Sequence, residues 1–129
     1  MSFERFTIVK VPFPFSDRNA RKNRPALVLS AAEPFNIPAA HSVMAMITSA
    51  ANAPWPLDCE LEDLEAAGLP APSKVRFKLF TLDHRLVRDR LGQLGPRDRR
   101  TVEAGLASLF GQTLSRKQTD KRRGTTGPS

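Results

Sequence analysis

The 129-residue sequence is poor in the residue types that build redox, metal and aromatic sites. It contains one cysteine, two histidines, one tryptophan and no tyrosine. A lone Cys59 cannot form an internal disulfide, which is typical of a protein kept under reducing conditions. Cys59 also has no cysteine or histidine near it at metal-ligand spacing. We therefore expect no metal and no cofactor, and a cytoplasmic location.

Long apolar runs are missing as well. No segment approaches the roughly 18 apolar residues that a membrane-spanning helix needs, and the first residues lack the pattern of a secretory signal. The sequence has no glycine-rich phosphate-binding loop. With 40% hydrophobic residues the chain can still bury one core, so we expect a single domain and no membrane partner.

Positive charge is in excess and is unevenly distributed. Lysine and arginine number 20 against 13 aspartates and glutamates, which gives a net charge of +7. Residues 115–129 hold five of the cations and one acid, so +4 lies there and +3 on the rest. We expect a folded domain at residues 1–113 and a basic, disordered tail at 114–129. The positive balance favours a polyanionic partner, chiefly nucleic acid.

Apolar patterning predicts a mainly β fold. Strands are predicted where apolar residues alternate with polar ones or run between polar turns, at residues 8–15, 24–30, 41–49, 57–61 and 74–80. In the last of these, one face holds Val75, Phe77 and Leu79, and the other face holds Lys74, Arg76 and Lys78. This strand is therefore predicted to place three cations on one side of a sheet.

Helical pattern is confined mainly to the end of the chain. Pro96 opens a predicted helix that Gly111 ends, and its inward stripe consists of Val102, Leu106, Leu109 and Phe110. Short helical turns are predicted at 62–68 and at 83–90, the latter with Leu86 and Val87 facing inward, and a proline-interrupted loop at 34–38. An acidic stretch is expected to form a solvated face, and its members are Asp58, Glu60, Glu62, Asp63 and Glu65.

Arg24 and the Thr48–Ser49 pair are the best candidates for chemistry. Pro25 restricts Arg24 to extended backbone, so the side chain has a fixed direction, and a guanidinium can bind phosphate oxygens through two parallel hydrogen bonds. Thr48 and Ser49 end a buried strand with hydroxyls that can hold a further oxygen. The loop before Arg24 adds the cations Arg18, Arg21 and Lys22. A pair of catalytic histidines, His41 and His84, is the weaker idea, because their spacing does not require them to meet.

Four ordered pieces of this chain resemble the MazF/PemK toxins of bacterial toxin–antitoxin pairs. They are a first hairpin at residues 9–30, the Met-Ile-Thr-Ser of 46–49, a later strand and turn within 68–83, and residues 91–94 with the terminal helix after them. The resemblance spans roughly residues 6–112.

That resemblance implies an SH3-like barrel of the MazF/Kid/CcdB type that forms a homodimer. It implies a metal-independent, sequence-selective endoribonuclease, which cleaves single-stranded RNA through attack of the 2′-hydroxyl and leaves a 2′,3′-cyclic phosphate and a 5′-hydroxyl. It also implies a cognate antitoxin as partner. Arg24 and Thr48 match the family's catalytic arginine and threonine. The expected RNA contacts are Ser49, Arg76, Lys78, Arg18, Arg21 and Lys22.

One departure from the family leaves alternatives open. Some members have an aspartate, proposed as a general base, two residues after the later arginine, where this chain has Lys78. Asp17 or Asp83 would have to replace it, or Arg24 would act mainly by electrostatic stabilisation. Two other functions also stay open: a non-catalytic RNA-binding SH3-like module, and a gyrase-binding toxin of the CcdB kind.

Overall fold

The computed structural model describes residues 3–12 and 22–112, which are built around one antiparallel sheet. Its six strands are β1 (Thr7–Pro12), β2 (Asn23–Val28), β3 (His41–Ser49), β4 (Cys59–Glu60), β5 (Ser73–Asp83) and β6 (Asp89–Gln93). They lie in the order β4-β5-β3-β2-β1-β6. The sheet curls into a half-barrel, so the predicted β-rich fold with a C-terminal helix is confirmed. Residues 114–129, the expected tail, lie outside the described residues.

Short helical segments connect the strands, and one longer helix follows them. A π-helical turn at Ala32–Asn36 leads into α1 (Ile37–Ala39), α2 is Leu64–Ala67, and α3 is Pro96–Leu109. Within the described part of the chain, no helix combines the length and apolarity needed to cross a membrane.

Both faces of the sheet are covered by apolar side chains. Because strand side chains alternate, Ile8 and Leu27 join the core cluster that α3 covers with Val102, whereas their neighbours Val9 and Val28 join a second cluster on the other face. Val75, Phe77 and Leu79 all pack with the first cluster, as predicted. The sheet is therefore a rigid platform, with its functional side chains at the strand ends.

Two predicted elements differ from the structure near the prolines. Residues 34–38 are helical rather than a loop, because Pro34 and Pro38 fall in the first turns, where a missing N–H breaks no helical hydrogen bond. The first predicted strand is not one of these two: β1 contains residues 8–12 of it, and residues 13–15 lie outside the described residues. The strand predicted at 57–61 is reduced to the two residues of β4.

The helical turn predicted at 83–90 is confirmed only at its start. Strand β5 continues to Asp83, a single 3-10 turn follows at His84–Leu86, and the chain then forms β6, which pairs with β1. Val87 packs against the second core cluster, but Leu86 is exposed. At the other end of the chain, Leu109 and Phe110 are 38% and 64% exposed, so both fall outside the inward stripe of α3.

Two of the three cations that alternation places on one side of β5 are not exposed to solvent. Lys74 and Arg76 are buried, and both bind the carboxylate of Asp58, with Lys74 Nζ 3.2 Å and Arg76 Nη2 2.9 Å from Asp58 Oδ2. The expectation that Asp58 belongs to a solvated acidic face is therefore wrong. Burial opposes ionisation of Asp58, but hydrogen bonds from Arg76 and Lys74 outweigh it and lower the pKa of the carboxyl. We call these three residues the Asp58 ion cluster.

The Asp58 ion cluster also fixes the loop between β3 and β4. Lys74 Nζ donates to the backbone carbonyl of Asn52 and Arg76 Nη2 donates to that of Ala53, each at 2.7 Å. Trp55 lies beside one of these cations, with its ring centroid 5.7 Å from Arg76 Cζ. Buried charge on β5 thus holds the segment that immediately follows Thr48 and Ser49.

Gly68 offers a test of the packing between α2 and β6. It has a φ of +73°, and an added Cβ would lie 1.9 Å from the carbonyl oxygen of Leu91. Gly68→Ala is expected to lower the free energy of unfolding by about 3 kcal/mol, through backbone strain and overpacking together. Gly111 has the same φ but open space around it, so Gly111→Ala should cost only about 1 kcal/mol. If urea unfolding shows that Gly68→Ala and Gly111→Ala lose the same free energy of unfolding, the close approach to Leu91 does not contribute to the cost.

The Asp58 ion cluster predicts a pH-dependent stability. Asp58→Asn leaves two buried cations without their counter-ion and should cost about 3 kcal/mol at neutral pH. Because folding lowers the pKa of Asp58, its contribution is complete above the ordinary value of 3.8 and is lost as the pH falls below it. The difference in the free energy of unfolding between Asp58→Asn and the parent protein should therefore become smaller at acid pH.

An exposed ion pair gives the matched control. Glu62 pairs with Arg97 at the surface, with side chains 59% and 72% exposed, so Glu62→Gln should change the free energy of unfolding by less than about 1 kcal/mol. A cost for Asp58→Asn as small as this, measured by urea unfolding across pH, would contradict the role assigned to the cluster.

Candidate active site

A cleft of about 260 Å³ lies where β2 begins and β3 ends. Arg24 and Pro25 form one wall, Thr48 and Ser49 form the floor, and the connector of residues 69–73 forms the opposite wall. The best sequence candidates, Arg24 and Thr48, therefore line one cleft.

The antiparallel register of β2 and β3 brings Arg24 to Thr48. Ala26 is the register partner of Met46, and Leu27 is the partner of Ala45. Continuing this register by two residues matches Arg24 with Thr48, on neighbouring strands roughly 5 Å apart. Ile47 next to Thr48 points into the first core cluster, which fixes the rotation of the strand and turns Thr48 away from that core.

Arg24 presents its charge to the cleft. It is half-buried, and within residues 3–12 and 22–112 it forms no ion pair with a carboxylate. Pro25 follows it and is itself paired with Lys10 of β1, so the backbone at this point is held in the sheet. A guanidinium held this way is suited to bind a phosphate through two parallel hydrogen bonds.

The two hydroxyls at the end of β3 are held by the loop that follows. Asn52 Nδ2 donates to Thr48 Oγ1 at 2.5 Å, and the backbone N–H of Ala51 donates to Ser49 Oγ at 3.2 Å. The N–H of Ala50 donates to the carbonyl of Pro72 at 3.0 Å, which ties the loop to the connector. The floor and one wall of the cleft are thus joined by hydrogen bonds.

The described residues among the remaining predicted RNA contacts do not line this cleft, and the others lie outside the described part of the chain. Lys22 is exposed just before β2. The Arg76 guanidinium is held by Asp58, and the same bond raises its pKa. Lys78 is half-buried, with Nζ 4.5 Å from the ring centroid of Trp55. Arg18 and Arg21 lie outside the described residues, as does Asp17, one of the two replacement bases.

The histidines share a different cleft, of about 480 Å³, together with Asp83. His41 Nδ1 lies 2.8 Å from the carbonyl oxygen of Ala39, and His84 Nε2 lies 2.7 Å from Ser42 Oγ. This cleft is at the start of β3, roughly 23 Å along the strand from Thr48.

Asp83, the other replacement base, lies at the same far end. Hydrogen bonds from Arg85 hold the pKa of Asp83 well below its ordinary value. It pairs in register with His41, whereas Ser49 at the cleft pairs with Ser73. Asp83 is therefore too distant to act as a base beside Arg24.

Three parts of the site were not predicted from the sequence: the connector wall at 69–73, Asn52, and the Asp58 ion cluster. The two prolines at residues 69–73 indicate a stiff connector, but they do not show which part of the fold it faces. Asn52 stands four residues after Thr48, which is a weak signal in a loop rich in alanine. Within the described ranges, no three His, Cys, Asp or Glu side chains lie together as a metal site would require.

Known structures share this fold. An endoribonuclease in complex with its cognate antitoxin, from a mycobacterial species, has a TM-score of 0.66 and 18% identity, over 88% of this chain and 97% of that one. MazF in a MazE–MazF complex from Deinococcus radiodurans has a TM-score of 0.68 and 23% identity, over 88% and 100%. The toxin MazF-mt6 from Mycobacterium tuberculosis has a TM-score of 0.66 and 17% identity, over 84% and 99%.

Sequence comparison identifies the family. No curated protein matches the chain. The model of the PemK-like, MazF-like toxins of type II toxin–antitoxin systems matches residues 4–110, which include Arg24 and Thr48 together with every strand of the sheet. The chain therefore belongs to the PemK-like, MazF-like toxin family of type II toxin–antitoxin systems.

Proposed function

We propose that this toxin is a metal-independent, sequence-selective endoribonuclease that cleaves single-stranded RNA. The observation that carries the proposal is the cleft in which Arg24, Thr48 and Ser49 meet. Membership of the toxin family supports it. The structural neighbours described as endoribonucleases share the fold.

In the proposed reaction the RNA supplies its own nucleophile. The 2′-hydroxyl releases its proton to solvent and attacks the adjacent phosphorus, a bond from the 2′-oxygen to phosphorus forms, and the bond from phosphorus to the 5′-oxygen breaks. The departing 5′-oxygen takes up a proton from solvent. The products are a 2′,3′-cyclic phosphate and a 5′-hydroxyl, so no water molecule is consumed in this step.

Arg24 and Thr48 are proposed as the catalytic residues. Negative charge grows on the non-bridging oxygens of the phosphate in the transition state. The Arg24 guanidinium can donate hydrogen bonds to two of these oxygens at once. The Thr48 hydroxyl donates a third hydrogen bond, and Ser49 contacts the substrate beside it. None of the described residues that line the cleft is a carboxylate or a histidine. Electrostatic stabilisation by Arg24 is therefore the main source of rate enhancement that we propose.

The flanking cations are proposed to bind the RNA backbone. Lys22 adds positive charge just before the start of β2, close to Arg24 in the sequence. Arg18 and Arg21 precede it. Lys78 and Arg76 are proposed contacts from β5, and Arg76 is the weaker of the two because its side chain is only 11% exposed and is bound to Asp58. Phosphate contacts of this kind are salt-dependent and independent of base identity.

We also propose that a cognate antitoxin protein binds this chain and that the chain acts as a homodimer. The support for the antitoxin is the family's place in type II toxin–antitoxin systems. Neighbours with this fold are described in complex with an antitoxin or with MazE.

Cleavage of a mixed-sequence single-stranded RNA in EDTA tests the proposed reaction. Purified, antitoxin-free protein is expected to make discrete cuts that leave 5′-hydroxyl ends. Arg24→Ala and Thr48→Val should each slow cleavage by about 100-fold or more, because each removes a group aimed at developing charge. Arg100→Ala, which removes an exposed arginine on α3, is the control and should cut at the parent rate.

Three results would contradict this proposal. RNA binding that weakens with salt but yields no new ends would indicate a non-catalytic RNA-binding module. A folded protein that neither binds nor cuts RNA, but binds gyrase, would indicate a toxin of the CcdB kind. Cleavage at the parent rate by a folded Arg24→Ala variant would show that the reaction is centred elsewhere.

A further inference from the structure

We propose that Asn52 is a positioning residue for Thr48, and that it sets the direction in which the Thr48 hydroxyl donates its proton. This inference rests on the proposed function, because it concerns the hydroxyl that is to meet the phosphate. It adds a residue from the loop after β3 to a site otherwise built from strand ends.

The contact between the two side chains has a defined polarity. Asn52 Nδ2 is 2.5 Å from Thr48 Oγ1, and an amide nitrogen only donates. Thr48 Oγ1 is therefore the acceptor, and its own proton remains available for a different partner. Since Thr48 lines the cleft with Arg24, the free donor direction serves an oxygen bound there.

Asn52 is itself held at both ends of its backbone. Its N–H donates to the carbonyl of Ser49 at 3.1 Å, which closes a turn directly after β3. Its carbonyl accepts from Lys74 Nζ at 2.7 Å. With the side-chain bond to Thr48, three contacts fix the residue, so its amide is pre-organised although it is exposed.

A buried charge network continues this support. Lys74 is 4% exposed and also lies 3.2 Å from Asp58 Oδ2, so the cation that holds Asn52 is itself neutralised and fixed. Arg76 binds the same carboxylate and holds Ala53, the next residue of the loop. A continuous chain of polar contacts therefore runs from Asp58 through Lys74 and Asn52 to Thr48.

A donor at this position has a chemical purpose. Without Asn52, the Thr48 hydroxyl can rotate and exchange its partners with water. With the amide donating to Oγ1, the hydroxyl already points its proton away from the loop, and hydrogen-bond donors that need no reorganisation are the ones that stabilise developing charge best. The residue acts on the rate through Thr48 rather than through the RNA.

Two substitutions at Asn52 distinguish the effect of its hydrogen-bond donor from the effect of its side-chain size. Asn52→Ala removes the donor and should lower the single-turnover cleavage rate about tenfold. Asn52→Asp keeps the size but replaces the donor by an acceptor, so that the Thr48 proton turns towards the loop, and the rate should fall about 100-fold. Gln112→Ala removes an exposed amide beyond α3 and should have no effect. Melting temperatures close to the parent are expected for all three.

A double-mutant cycle distinguishes positioning from a separate role. In a Thr48→Val background there is no hydroxyl to orient, so adding Asn52→Ala should cause no further loss of rate. Affinity of Asn52→Ala for an RNA with a 2′-deoxy nucleotide at the cut site, which cannot react, should equal that of the parent.

The outcomes separate this inference from the proposed function. A parent protein that cuts no RNA overturns both. If the parent cuts RNA, the inference alone is overturned by Asn52→Ala at the parent rate. The inference is also overturned if Asn52→Ala lowers the cleavage rate by the same factor in the parent and in the Thr48→Val background. A lower RNA affinity that accounts for the whole loss of rate overturns it as well.

Discussion

The carboxylate of Asp58 is the acceptor that allows two cations to lie buried side by side on one strand. Lys74 and Arg76 project from the same face of β5, where mutual repulsion and desolvation would exclude them without a counter-ion. Because each cation also binds a backbone carbonyl of the loop after β3, the same charge balance orders that loop. The end of β3, and with it the floor of the cleft, therefore depends on one aspartate.

The sequence made Arg24 and Thr48 candidates, because Pro25 restricts the backbone of Arg24 and the Thr48 hydroxyl ends a buried strand, although it did not show that they line one cleft. It did not allow the Asp58 ion cluster to be anticipated. Alternation shows that Lys74 and Arg76 share a face, but only the fold shows that a loop covers that face. The same limit applies to β6, whose exposed, polar pattern resembles a turn until β1 pairs with it. Pro34 and Pro38 were misinterpreted because proline disrupts a helix interior but is tolerated in a first turn.

The two ends of the central strand β3 have different chemistry. One end gathers an arginine and hydroxyls without a carboxylate among its described neighbours, and the other gathers both histidines with Asp83. Nine residues of strand keep these groups apart, so an acid–base pair of histidines and an arginine-centred site cannot be parts of one centre. Structures that share only 17% to 23% identity with this chain retain the same fold.

Trp55 gives this molecule an optical property that follows directly from its composition and its place in the fold. It is the only tryptophan, and there is no tyrosine to add emission of its own. Its ring is 43% exposed and lies beside the cations of β5, on the loop that also supplies Asn52. The intrinsic fluorescence of the whole protein therefore originates at one point, on the loop that follows Thr48 and Ser49, and changes of that loop are visible without any attached label.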